Sequence, residues 1–325
     1  MKKTTKSALI ASGIVAGTAA IGALYHVTMQ KLMDLALKRD EPKNIDMERG
    51  RNLLMGSSAL SNVMSRIMDS AAALERRECE TITIVAKDGV TLVGHWRAPE
   101  HPKRVIIAMH GWRSSWSQDF GMISDFWYDS DCAVLYAEQR GQGESGGEYM
   151  GFGLLERYDC CDWASYINER IGGTLPIYLV GISMGATTVL MATGLSLPNT
   201  VRGVIADCGF TSPSAIWRHV IEKNLHLPYA LYGAAASELC KRKIQFKSDE
   251  YTCMDALREN TVPVLFIHGT DDKFVPIEMT YENYKATTAE KRLFIVPGAD
   301  HGLSYLTDPE EYENTVKTFW NDSEN

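Results

Sequence analysis

The chain has 325 residues, 45% of them hydrophobic and 23% charged, which excludes a mainly disordered, collagen-like or polytopic membrane protein and supplies enough apolar surface for a large core. Its 33 basic and 41 acidic side chains leave a net charge of −8 with no long basic block, so a nucleic-acid backbone would be repelled. Seven cysteines, an odd number without a CxxC pair, suit neither a disulfide scaffold nor a zinc site; most sit in apolar runs and read as small hydrophobes.

In chain order, Lys2, Lys3 and Lys6 precede an uncharged stretch over 7–25, rich in Ala, Gly, Ile and Leu. At about 1.5 Å per helical residue this stretch approaches the bilayer core of about 30 Å, and it exceeds the apolar part of a cleavable signal. It therefore reads as an anchor over 1–27 that tethers the chain to a membrane, with the catalytic domain on the extracytoplasmic side; cleavage after Ala20 or Gly22 is the alternative. Residues 28–78 form a helical preface. Leu32, Leu35 and Ala36 precede a break at Glu41-Pro42, and Leu53, Leu60, Val63, Met64 and Ile67 then recur at helical spacing, a stripe suited to packing on the main domain.

From residue 79 to 325 the pattern is that of one α/β domain. Residues TITIVA, Asp88-Gly89 and VTLVGHW predict two strands joined by a tight hairpin. Strands are expected at Arg104 to Met109, Cys132 to Ala137, Ile177 to Val180, Val201 to Ala206, Val262 to Ile267 and Arg292 to Val296. They alternate with helices and are apolar throughout, which predicts a doubly wound, mostly parallel sheet. The interval Asp207 to Glu259 is too long for a simple crossover and holds helix-like pieces at Ala215 to Asn224 and Tyr229 to Lys241. An insertion at the carboxyl end of a strand lies where open α/β sheets bind ligands, so it reads as a lid, with Phe210 and Trp217 placed to line an acyl pocket.

Gly181-Ile182-Ser183-Met184-Gly185 is a GxSxG run between a predicted strand and a predicted helix. That context calls for a turn so tight that the serine hydroxyl is thrust out, with the helix N-terminus behind it. A serine nucleophile requires a base, and the base a group that holds its tautomer. Both lie downstream at strand ends: carboxylates in His268-Gly269-Thr270-Asp271-Asp272, and His301 in Pro297-Gly298-Ala299-Asp300-His301-Gly302. His301 is the only histidine after the acid, whereas His268 begins its own loop and is suited to structural hydrogen bonds. Gly141, Gly143 and Gly146 match a GxGxxG fingerprint, but further glycines prolong the loop and no helix begins in reach of a pyrophosphate. With no GxxxxGK[ST] or HExxH run either, no cofactor and no metal are expected.

From about Glu80 to Trp320 the chain resembles the α/β-hydrolase family, particularly its esterase, lipase and serine aminopeptidase-like branches. His110-Gly111-Trp112 resembles the family's oxyanion loop, and Glu138-Gln139-Arg140-Gly141-Gln142-Gly143-Glu144-Ser145 its D-x-R-G-x-G-x-S loop, with Glu138 in place of Asp, a change expected to affect loop packing only. The resemblance implies nucleophile Ser183, acid Asp272, base His301 and an oxyanion hole from the backbone amides of Trp112 and Met184. It implies acyl transfer to water, with a small-molecule carboxylic ester as first choice of substrate and an amide, peptide or thioester as second. An inactive hydrolase-fold binding protein is the non-enzymatic alternative.

Overall fold

The computed structural model describes residues 22–39 and 60–324. Eight strands form one sheet: β1 (Glu80–Val85), β2 (Thr91–Arg97), β3 (Arg104–Met109), β4 (Cys132–Ala137), β5 (Ile177–Ile182), β6 (Val201–Asp207), β7 (Val264–Gly269) and β8 (Lys291–Val296). Their spatial order is β1-β2-β4-β3-β5-β6-β7-β8. The β1–β2 hairpin turns at Gly89, whose φ of 87° favours glycine, and β2 joins β4 antiparallel. From β4 to β8 the pairing is parallel.

Strand β3 shows why these runs are apolar throughout. Val105, Ile107 and Met109 enter the core on one face of the sheet, while Ile106 and Ala108 enter the core on the other. Each fully buried Val or Ile side chain contributes about 1.5 to 3 kcal/mol. β7 starts two residues later than expected because Pro263 offers no N–H and Val262 is tied into a turn, its N–H donating to Asn260 Oδ1 at 2.8 Å.

The interval after β6 contains three helices, Pro213–His219, Tyr229–Ile244 and Cys253–Glu259, the first running on into a π-helical turn at Val220–Asn224. Ser212 starts the first by accepting the Ala215 N–H at 3.1 Å.

The membrane expectation is corrected. Residues 1–21, which hold most of the supposed anchor, lie outside the described ones. From Gly22 the chain is a helix over 22–37, and among the described residues no helix is long and apolar enough to cross a membrane. Met29, Met33 and Leu37, four residues apart, are buried in the core that packs on the sheet. This stripe lies beyond the supposed anchor and is covered by protein, and with no such helix among the described residues a membrane-anchored, extracytoplasmic placement has no support. The 22–37 helix also runs without a break across residues 27 and 28, where the anchor was expected to give way to the preface.

Candidate active site

The strand order reverses around β3 and β5, whose carboxyl ends therefore flank a crevice. Ser183 follows β5 directly and adopts φ 56° and ψ −116°, a sparsely populated conformation for a residue with a side chain. Its N–H donates to Asp207 O at 2.9 Å and its carbonyl accepts from Thr187 N at 3.0 Å, which hold the turn from both sides. The neighbouring glycines are required by close approach: a methyl group on Gly181 would overlap the Gly185 carbonyl, and one on Gly185 the Met109 carbonyl at the end of β3.

The loops after β7 and β8 bring the other polar groups to this serine. His301 Nε2 lies 2.9 Å from Ser183 Oγ, and His301 Nδ1 lies 2.7 Å from Asp272 Oδ2. The other carboxylate oxygen, Oδ1, accepts the N–H groups of Phe274 and Val275 at 2.9 and 2.8 Å. Asp271, its neighbour, is exposed and accepts from Thr270 Oγ1 at 2.9 Å. Burial opposes ionisation of Asp272, but the charges and hydrogen bonds of His301 and His268 hold its carboxyl well below the usual range. Burial alone would push the His301 imidazole down; the Asp272 carboxylate outweighs this and holds it well above its ordinary value. His268 has structural partners, Thr280 Oγ1 at 2.6 Å and Val275 O at 2.9 Å, and its Nε2 also lies 3.2 Å from Asp272 Oδ2.

The His110-Gly111-Trp112 loop follows β3. Its Gly111 N–H donates to Asp119 Oδ2 at 2.6 Å and the Arg113 N–H to Gln142 Oε1 at 2.6 Å. Between them, the Trp112 N–H meets no acceptor among the described residues, and neither does the Met184 N–H at the start of its helix. Burial lowers the His110 pKa and keeps its ring neutral, so that Nδ1–H donates to Gly111 O at 2.8 Å while Nε2 accepts the Gln139 N–H at 3.1 Å.

Phe210 and Trp217 are both buried and meet around Phe152, whose ring centroid lies 6.0 Å from Phe210, 5.5 Å from Trp217 and 6.1 Å from Trp112. Phe152 carries no periodic signal; it stands between Gly151 and Gly153 with φ 53°. Cys208 was also missed. It follows β6 at φ 50° and forms with Asp272 and His301 the grouping whose donor atoms lie within 4.8 Å of one another. Burial pushes its thiol up to about 11, leaving it protonated, and the other two members of the grouping bond each other at 2.7 Å. Glu138 accepts from His95 Nε2 at 2.9 Å and from the Glu144 N–H, tying down its own loop. The glycine-rich stretch beyond it closes on itself through Gly141 N to Gly146 O at 2.7 Å, and the next helix begins only at Glu156.

Residues 105–315 match the Alpha/beta hydrolase family, and the chain belongs to it. It is 26% identical over 251 residues to the uncharacterized protein YqkD of Bacillus subtilis, covering 77% of this chain and 82% of that protein. The bifunctional esterase/perhydrolase DCH of Acinetobacter calcoaceticus is 23% identical over 262 residues, 68% of this chain and 92% of that one. Among solved structures, an esterase of Pyrococcus furiosus superposes with a TM-score of 0.61 at 22% identity, over 75% of this chain and 91% of its own. The protein is thus an enzyme of the alpha/beta hydrolase family, with the fold seen in esterase structures.

Proposed function

We propose that this enzyme cleaves carboxylic esters through an acyl-enzyme formed on Ser183. The observation that carries the reading is the unbroken line Ser183 Oγ, His301 Nε2, His301 Nδ1, Asp272 Oδ2, with separations of 2.9 and 2.7 Å at its two hydrogen bonds. In this reading His301 takes the serine proton as Oγ attacks the ester carbonyl, and Asp272 stabilises the imidazolium so formed. The Trp112 and Met184 N–H groups bind the tetrahedral oxyanion. His301 returns the proton to the departing alcohol, and a water activated the same way releases the acid. Esters come first because an alkoxide leaves with less assistance than an amine. The insertion after β6 would act as the lid, with Phe210, Trp217 and Phe152 against the acyl chain.

The test is labelling with an active-site fluorophosphonate, followed by p-nitrophenyl esters of increasing length beside aminoacyl anilides. Ser183→Ala is expected to abolish labelling and to lower kcat about 10⁴- to 10⁶-fold. Unchanged ester turnover in that variant would overturn the reading, and preferential anilide cleavage by the wild type would shift it to amides.

A further inference from the structure

The last carbonyls of an α-helix have no partner within the helix. Those at the end of the 22–37 helix are taken up by the loops beside Ser183. Arg113 Nε and Nη2 donate to Leu35 O at 3.2 and 2.9 Å, and Nη2 also to Lys38 O at 2.7 Å. Trp112 Nε1 donates to Ala36 O at 2.8 Å, and the Met150 N–H to Leu37 O at 2.6 Å. A guanidinium at this end also complements the helix dipole. In return, the Arg39 guanidinium reaches the carbonyls of Gly143 and Ser145, in the loop whose Gln142 accepts the Arg113 N–H. Arg113 itself sits at φ 52°, a conformation that persists in a residue with a side chain only where its surroundings over-determine it. These bonds do so, and the residue they hold directly follows the peptide whose N–H, that of Trp112, meets no acceptor among the described residues.

We propose that residues 22–39 are a clasp that sets the oxyanion loop for catalysis, with Arg113 as its positioning residue; this rests on the ester-hydrolase reading above. Arg113 does not touch the substrate. It fixes the tilt of the Trp112 peptide, so its loss misdirects a donor that matters only when charge develops on the carbonyl oxygen, lowering kcat while KM holds.

In the full chain, Arg113→Met removes the guanidinium donors and keeps the side-chain length. It is expected to lower kcat about 10- to 100-fold, as for a misplacement of about 1 Å, with KM little changed. An alkyl trifluoromethyl ketone, which mimics the tetrahedral oxyanion, weakens by the same factor as kcat/KM, and Arg113→Lys recovers part of both losses. Lys243→Met removes the 2.6 Å ion pair to Asp34 on the same helix without touching Arg113, so its smaller loss measures the effect of loosening alone. Full kcat and ketone affinity in Arg113→Met, or equal kcat losses in Arg113→Met and Lys243→Met, would overturn the clasp. Should Arg113→Met fail to fold, Trp112→Phe, which removes the indole N–H, carries the same expectation of lower kcat and ketone affinity at constant KM. Ser183→Ala separates the two readings: wild-type turnover there sinks the ester-hydrolase assignment, whereas an inactive Ser183→Ala beside an unimpaired Arg113→Met sinks the clasp alone.

Discussion

Asp272→Asn leaves the shape of the side chain intact, and the surroundings decide which way the new amide turns. Two N–H groups, of Phe274 and Val275, point at Oδ1 from 2.9 and 2.8 Å, so that position demands an acceptor and the amide oxygen takes it. The NH₂ group is then left facing His301 Nδ1, where Oδ2 now stands at 2.7 Å. Two donors cannot share that contact, so Nδ1 gives up its proton and accepts. The proton moves to Nε2, which faces Ser183 Oγ across 2.9 Å and can no longer receive the hydroxyl proton. The wrong tautomer costs about 10⁴ in kcat, or about 5 kcal/mol of transition-state stabilisation. Asp271→Asn is the control, because that carboxylate is exposed and accepts from Thr270 Oγ1; it is expected to act like an ordinary surface substitution. Both variants would be assayed by steady-state p-nitrophenyl ester hydrolysis and by the rate of fluorophosphonate labelling, with thermal melts to establish that each is folded. Near-wild-type turnover in Asp272→Asn, or a larger loss in Asp271→Asn, would refute this assignment of the acid.

Three further outcomes follow from the same geometry. On the proposed reading the neutral imidazole of His301 is the base, so activity falls as pH drops through its pKa; because Asp272 holds that value raised, the acid limb of kcat/KM lies above the ordinary value of about 6.5 and moves down in Asp272→Asn, and a wild-type limb at or below that pH would contradict it. Gly185→Ala would press a methyl group into the Met109 carbonyl and cost about 3 kcal/mol or more, read from urea melts; an unchanged midpoint would show that the elbow can relax. Trp217→Ala removes the ring that packs edge-on against Phe152 at 5.5 Å and is expected to move the acyl-length optimum upward, each buried CH₂ being worth about 0.8 kcal/mol; a chain-length profile identical to wild type would remove the insertion from the pocket.

The alternation of strands and helices was legible because burial on both faces of a parallel sheet demands continuous apolar runs, and that demand is local. The tight turn at Ser183 was legible for the same reason: Gly181 and Gly185 are called for by crowding within a few residues. The anchor expectation rested on composition, which counts apolar side chains without saying what they meet, and among the described residues no helix is long and apolar enough to cross a membrane. In the preface beyond it, the stripe of Met29, Met33 and Leu37 packs into the core beside the sheet, a partner that composition by itself does not name. The likeness of Asp271 and Asp272 is a similar case, since adjacent carboxylates in one loop differ only in what reaches them from outside it.

By itself, then, the sequence determined the class of fold and the tight turn at Ser183, and it put a serine, a carboxylate pair and a histidine in that order at strand ends, all of which follow from backbone constraints acting over short stretches. Only the tertiary structure decided which groups meet across long separations. It brought His301 to Ser183, gathered Phe152 with Phe210 and Trp217, set Cys208 beside the imidazole, and closed the end of the 22–37 helix on Trp112 and Arg113. Such contacts leave no periodicity in the chain, because a helix carbonyl seeking a donor is satisfied equally by water or by an arginine some 75 residues away, and only the packed fold selects between them.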